Sequence, residues 1–75
     1  MAEVTFVLRQ ETIELGQLLK ALDVVGSGGE VKEYLASREV RVNDAPEARR
    51  GRKLRAGDQV EIEEFGVVKV AGPTP

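Results

Sequence analysis

The sequence reads as one small domain in which two short helices are set among short β-strands. Three observations lead there. Leu15, Leu18, Leu19 and Leu22 recur at the spacing of one helix face. Ser27 and Glu30 stand three residues apart just ahead of Val31, Tyr34 and Leu35, the pattern that opens a second helix. Around this pair lie β-rich or alternating segments: Val4-Thr5-Phe6-Val7-Leu8, Val40-Arg41-Val42-Asn43, the stretch around Val60 and Ile62, and Val67-Val68-Lys69-Val70.

Taken in order, residues 4–8 form a first strand, which Arg9-Gln10-Glu11 breaks. Thr12-Ile13-Glu14 is a short second strand. The first helix spans residues 15–22, and Gly26 ends that segment. Ser27 is the N-cap of the second helix, and Glu30 reaches back to the Ser27 N–H to complete a capping box. Val24, Val25 and Gly26 supply the turn of a helix–turn–helix-like pair. Residues 40–43 make a half-buried strand. Asn43-Asp44 provides the left-handed backbone of a tight hairpin, and Pro46 confines the return strand to an edge or a short piece. Residues 49–55 follow as a loop with Leu54 as its inward anchor. Gly57-Asp58 turns the chain into a strand that buries Val60 and Ile62 and wets Glu61 and Glu63. Phe65-Gly66 turns it again into the last strand. One domain, residues 1–70, is expected, with residues 71–75 as a flexible tail.

The chain has 75 residues, and a domain of that size buries only about 60% of its unfolded surface. It has neither cysteine nor histidine, which removes disulfides, thiolate metal sites and the usual acid–base catalyst at neutral pH. No metal, cofactor, catalytic residue or small-molecule substrate is expected. Glu3, Arg9 and Glu11 interrupt every early apolar run, so neither a signal peptide nor a membrane span is expected, and the location is cytoplasmic.

The net charge of −2 hides an uneven distribution. Residues 1–25 carry a net −2, residues 26–55 a net +3 and residues 56–75 a net −3. Five of the seven residues from 49 to 55 are basic, with no acid among them. A positive middle between negative ends fits a polyanionic partner.

In this order and spacing, five pieces resemble the S4-like RNA-binding domain, first known from a ribosomal small-subunit protein, and most of all its stand-alone bacterial versions of the YaaA/YbcJ type. The pieces are Leu15-Gly16-Gln17-Leu18-Leu19-Lys20, Ser27-Gly28-Gly29-Glu30-Val31-Lys32, Val40-Arg41-Val42-Asn43, Glu47-Ala48-Arg49-Arg50-Gly51-Arg52-Lys53-Leu54 and Gly57-Asp58-Gln59-Val60. The resemblance implies an α+β fold, with two short helices packed on a small, curved, mainly antiparallel sheet. It also implies RNA binding by the second helix and the hairpin after it. Three positions depart from the family pattern. Val31 stands where alanine is usual, implying a wider helix–helix gap. Arg38 stands where glycine is usual, and Asp44 replaces the glycine of an Asn-Gly turn.

The expected contacts follow from charge and resemblance together. Arg49, Arg50, Arg52, Lys53 and Arg55 supply cations for phosphate, with guanidinium groups suited to bidentate contacts. The plain alternative for such a run is a solvated loop. Ser27, Gly28 and Gly29 open a helix whose free N–H groups attract phosphate, although an ordinary cap would look the same. Lys32, Arg41 and Asn43 extend the patch, Asn43 chiefly as a turn residue. Tyr34 shares a face with Val31 and Leu35 and belongs to the core, so no exposed ring platform for single strands is foreseen. The expected partner is structured RNA, ribosomal or transfer RNA, with a possible seat on the ribosome or one of its subunits. The alternative is a protein–protein adaptor without nucleic acid.

Overall fold

The computed structural model describes residues 2–72. Along the described chain the elements are β1 (Ala2–Val7), β2 (Thr12–Glu14), α1 (Leu15–Ala21), α2 (Gly28–Ser37), β3 (Val40–Val42), β4 (Ala45–Pro46), β5 (Lys53–Arg55), β6 (Gln59–Ile62) and β7 (Gly66–Ala71). Five strands make one sheet in the order β1-β7-β6-β3-β4. Its pairs are antiparallel except β1 with β7, which run parallel in the register Val4↔Val68. β2 and β5 form a separate antiparallel ribbon, with Ile13 opposite Leu54. The fold is α+β, as expected.

Alternation of side chains places the core. Val40, Val42, Val60, Ile62, Val68 and Val70 are buried, while Arg41, Glu61 and Lys69 alternate onto the other face. Leu15, Leu18 and Leu19 of α1 are fully buried, joined by Val31 and Leu35 of α2. Leu54 is also fully buried and ties the β2–β5 ribbon to the same core. Each such leucine contributes about 1.5–3 kcal/mol by leaving water.

The ends of α1 are closed from unlike sources. At its C-terminus the N–H of Val24 donates to Leu19 O at 3.0 Å and that of Asp23 to Lys20 O at 3.0 Å. This is a Schellman-type closure, with Asp23 in the left-handed region at φ 62°. At its N-terminus Glu14 makes no side-chain cap. The N–H groups of Leu15 and Gly16 instead donate to the carbonyls of Arg52 (2.8 Å) and Arg50 (2.9 Å).

Several local expectations are met in altered form. Ser27 caps α2 by accepting the Glu30 N–H at 3.3 Å. The Glu30 carboxylate, however, accepts from Gly26 N–H (3.2 Å) rather than from Ser27, so the reciprocal half of the box is displaced by one residue. Arg38 is extended at φ −120°, ψ 150°, so the missing glycine costs no left-handed strain. Asn43 and Asp44 have φ of 51° and 68°, the double left-handed turn of a tight hairpin. Residues 53–55, expected within a loop, are strand β5. Ala71, expected in the tail, ends β7 and its carbonyl accepts the Leu8 N–H at 2.8 Å; residues 73–75 of that tail lie outside the described residues. Tyr34, expected in the core, is only half-buried against it, and its hydroxyl donates to Glu63 O at 2.6 Å.

Candidate nucleic-acid interface

The basic segment begins with an acid. Glu47, two residues ahead of it, folds back so that its side chain is only 8% exposed. One oxygen, Oε2, accepts from the backbone N–H and the Nε of Arg49, each at 3.1 Å. The other, Oε1, accepts from Nη2 of Arg49 at 3.3 Å and Nη1 of Arg52 at 2.9 Å. Hydrogen bonding from Arg49, above all, holds the Glu47 carboxyl down to about 2, with Arg52 adding to the effect against the cost of desolvation. The charge of Arg49 and Arg52 is therefore partly committed inside the protein.

Arg50 is placed differently. Its carbonyl caps α1, and no carboxylate pairs with its side chain among the described residues. It borders two adjoining shallow grooves. One is lined by Glu14, Gly16, Gln17, Lys20, Gly28 and Val31 together with Arg50. The other lies between Lys32, Leu35, Ala48 and Arg50. Lys20, Lys32 and Arg50 thus stand around the start of α2, and none of them makes an ion pair among the described residues. A Cβ built on Gly28 would meet nothing within 4 Å, so the first turn of α2 is open to a ligand. Glu30, which could oppose an anion there, lines the groove on the other flank of α2 with Glu33 and Tyr34.

The close approach of the two helices and the loop depends on Gly16. A Cβ there would lie 3.1 Å from Val31 Cγ1 and 3.3 Å from Arg50 Cβ. Val31, larger than the residue usual in the family pattern, fits against α1 because its neighbour has no side chain.

The remaining expected residues fall into two groups. Lys53 and Arg55 are exposed on β5, on the face opposite the buried Leu54, with Glu14 and Thr12 as their cross-strand partners. Lys53 stands across from Glu14, which lines the first groove with Arg50, whereas neither Lys53 nor Arg55 lines a groove itself. Arg41 and Asn43 do not join the surface around Arg50. Arg41 is on the outer face of the five-stranded sheet, opposite Glu61, in a groove lined also by Glu39, Glu63 and Glu64. Its guanidinium donates to Glu39 Oε1 (3.4 Å) and Asp44 O (3.1 Å). Asn43 is occupied with the hairpin: its Nδ2 donates to Asp58 Oδ1 and its Oδ1 accepts the Gln59 N–H, both at 3.0 Å. Ser27 spends its hydroxyl on capping, leaving Gly28 and Gly29 as the open positions.

Two residues in this surface were missed from sequence. Gln17 and Lys20 lie at i and i+3 on the wet face of α1, and both line the groove with Arg50 and Gly28. Their spacing on the face opposite Leu15, Leu18 and Leu19 was a usable signal. Among the described residues, no helix is long and apolar enough to cross a membrane.

Comparison with known proteins agrees with this architecture. Residues 6–71 match the S4 domain family model. Over 60 residues the chain is 58% identical to a probable ribosome maturation protein, RlbA, of Bacillus subtilis (strain 168), covering 80% of this chain and 84% of that protein. With most of its length matched by the family model and a relative of that similarity, the chain belongs to the S4 domain family.

Proposed function

We propose that this protein is a non-catalytic RNA-binding module that grips folded ribosomal RNA and serves ribosome maturation in the cytoplasm. The observation that carries the reading is the gathering of Lys20, Lys32 and Arg50, none in an ion pair among the described residues, around the open first turn of α2. Cations beside free backbone N–H groups suit a phosphate, and two adjoining grooves suit successive phosphates on one strand. Gly28, Gly29, Lys53 and Arg55 extend the contact. Arg49 and Arg52 act with part of their charge held by Glu47. The half-buried Tyr34 offers no stacking platform, which favours recognition of shape and backbone over single-stranded bases. The process is taken from the relative, whose name describes ribosome maturation. The acidic groove around Glu39, Glu61, Glu63 and Glu64 lies on the sheet's outer face and would turn that side away from RNA.

The test is equilibrium binding to purified ribosomal RNA, transfer RNA and an unstructured oligonucleotide across a salt series. Ribosomal RNA should bind best. With four phosphates of a folded, largely duplex RNA neutralised, the slope of log K against log salt should be about −3.6. Replacing Lys20, Lys32, Arg50 and Lys53 together by glutamine should abolish binding with the far-UV circular dichroism unchanged. Salt-insensitive binding, or equal affinity for the unstructured oligonucleotide, would sink the reading.

A further inference from the structure

The carboxylate of Glu47 sits at the heart of a basic segment, where simple charge counting makes it a defect in a phosphate-binding surface. Its geometry says otherwise. It is almost fully enclosed and takes hydrogen bonds from two arginines and one backbone N–H. The same short segment is fixed on its other side, where the carbonyls of Arg50 and Arg52 cap α1. Residues 47–52 are thereby clamped between a carboxylate and a helix end. Glu14 is the contrasting acid: it lines the groove with Lys20 and Arg50, is exposed, and makes neither a cap nor an ion pair among the described residues.

We propose that Glu47 is a positioning residue for the RNA-binding surface. Its carboxylate fixes the Arg49 and Arg52 guanidinium groups, and with them the course of the loop that presents Arg50. This assignment rests on the RNA-binding reading given above. Two long side chains held in place before binding lose less freedom when RNA arrives. Removing the carboxylate adds a net positive charge to the surface yet releases both arginines and the loop. The effect of lost order therefore opposes the effect of gained charge, and the number of donors locked on Glu47 decides for the former.

The experiment compares Glu47→Gln and Glu14→Gln by fluorescence anisotropy on a short labelled hairpin of ribosomal RNA, at a temperature where circular dichroism shows every variant folded. Both substitutions remove one negative charge from the interface. Glu14→Gln should tighten binding by roughly twofold to fivefold through long-range attraction. Glu47→Gln should weaken it about tenfold, without a shallower salt slope, since the phosphate contacts remain and only their order is lost. In an Arg49→Gln/Arg52→Gln background the further change Glu47→Gln should no longer weaken binding and should tighten it by roughly the same factor as Glu14→Gln, since only the charge effect is left, which a purely structural role for Glu47 would not produce. Binding by Glu47→Gln as tight as or tighter than the parent, or a full tenfold loss in the arginine-free background, overturns the assignment while leaving RNA binding itself in place. A parent chain that binds none of the RNAs fails the RNA reading first and takes this assignment with it.

Discussion

The carbonyl of Arg50 accepts the N–H of Gly16 at 2.9 Å, so the residue bearing the central cation of the proposed interface also closes the first turn of α1. The two roles use different atoms. Backbone capping survives any substitution of the Arg50 side chain, whereas the proposed phosphate contact does not. Loss of binding in an Arg50→Gln variant should therefore come without loss of stability, and a urea midpoint shifted by no more than the usual surface-substitution effect of about 0.5 kcal/mol would show it.

Gly16 gives the converse case. A methyl group there would press on Val31 Cγ1 at 3.1 Å and on Arg50 Cβ at 3.3 Å. Val31 is buried at 2% exposure and branched at Cβ, so it has little room to rotate away. Alanine gains about 1 kcal/mol of helix propensity over glycine, while overpacking costs about 1–3 kcal/mol. Gly16→Ala should thus destabilise by about 1 kcal/mol and weaken RNA binding as well, because the loop at Arg50 must shift. A rise in melting temperature would show that α1 and the loop can part freely.

Asp23 and Asp44 occupy left-handed backbone, at φ 62° and 68°, where glycine is the residue of choice. Neither is held there by a side-chain hydrogen bond or ion pair among the described residues. Glycine relieves steric strain of about 1–2 kcal/mol but makes the unfolded chain freer by about 0.5–1 kcal/mol. Each of Asp23→Gly and Asp44→Gly should raise stability by about 0.5 kcal/mol in chemical denaturation, and the two should add, since they sit in separate turns. Destabilisation by either would mean that its carboxylate has a role unseen in the static fold.

How far these features could be read in advance depends on whether they leave local marks. The leucine face of α1, the Ser27 cap and the Asn43-Asp44 turn are short-range patterns, and each is found where expected. The parallel pairing of β1 with β7 joins the two ends of the chain and leaves no turn signal between them. Arg41 and the 49–55 segment are both basic, and alternation puts Arg41 on the face opposite Val40 and Val42, but that this face carries an acidic groove and not the basic loop depends on the pairing of β3 with β6, which the sequence does not mark. The involvement of Glu47 was hidden for a different reason. Counting charge within residues 49–55 stops two positions short of the acid that organises them.

Tyr34 spans from α2 to the β6–β7 turn through its hydroxyl bond to Glu63 O. Removing the hydroxyl in Tyr34→Phe keeps the ring packed but leaves that carbonyl to water. A loss of about 1 kcal/mol is expected. RNA affinity should not change, because the turn is remote from the grooves around Arg50. Reduced RNA binding at full folding would place the bound RNA across α2 and revise the interface.

Glu47 also sets a pH dependence with a definite sign. Its carboxyl is held to about 2 in the folded chain, against an ordinary value of 4.5. The unfolded chain therefore takes up this proton more readily than the folded one, and stability from the carboxylate is complete above about pH 4.5. It should disappear progressively as pH falls from there toward 2, when protonation removes the acceptor that Arg49 and Arg52 share. The informative quantity is the difference between the parent and Glu47→Gln. In urea titrations at successive pH values, the parent should be the more stable at pH 6, and the gap should close as pH 2 is approached. A gap that stays constant across that range would mean that packing of the Glu47 stem, and not its charge, holds the loop in place.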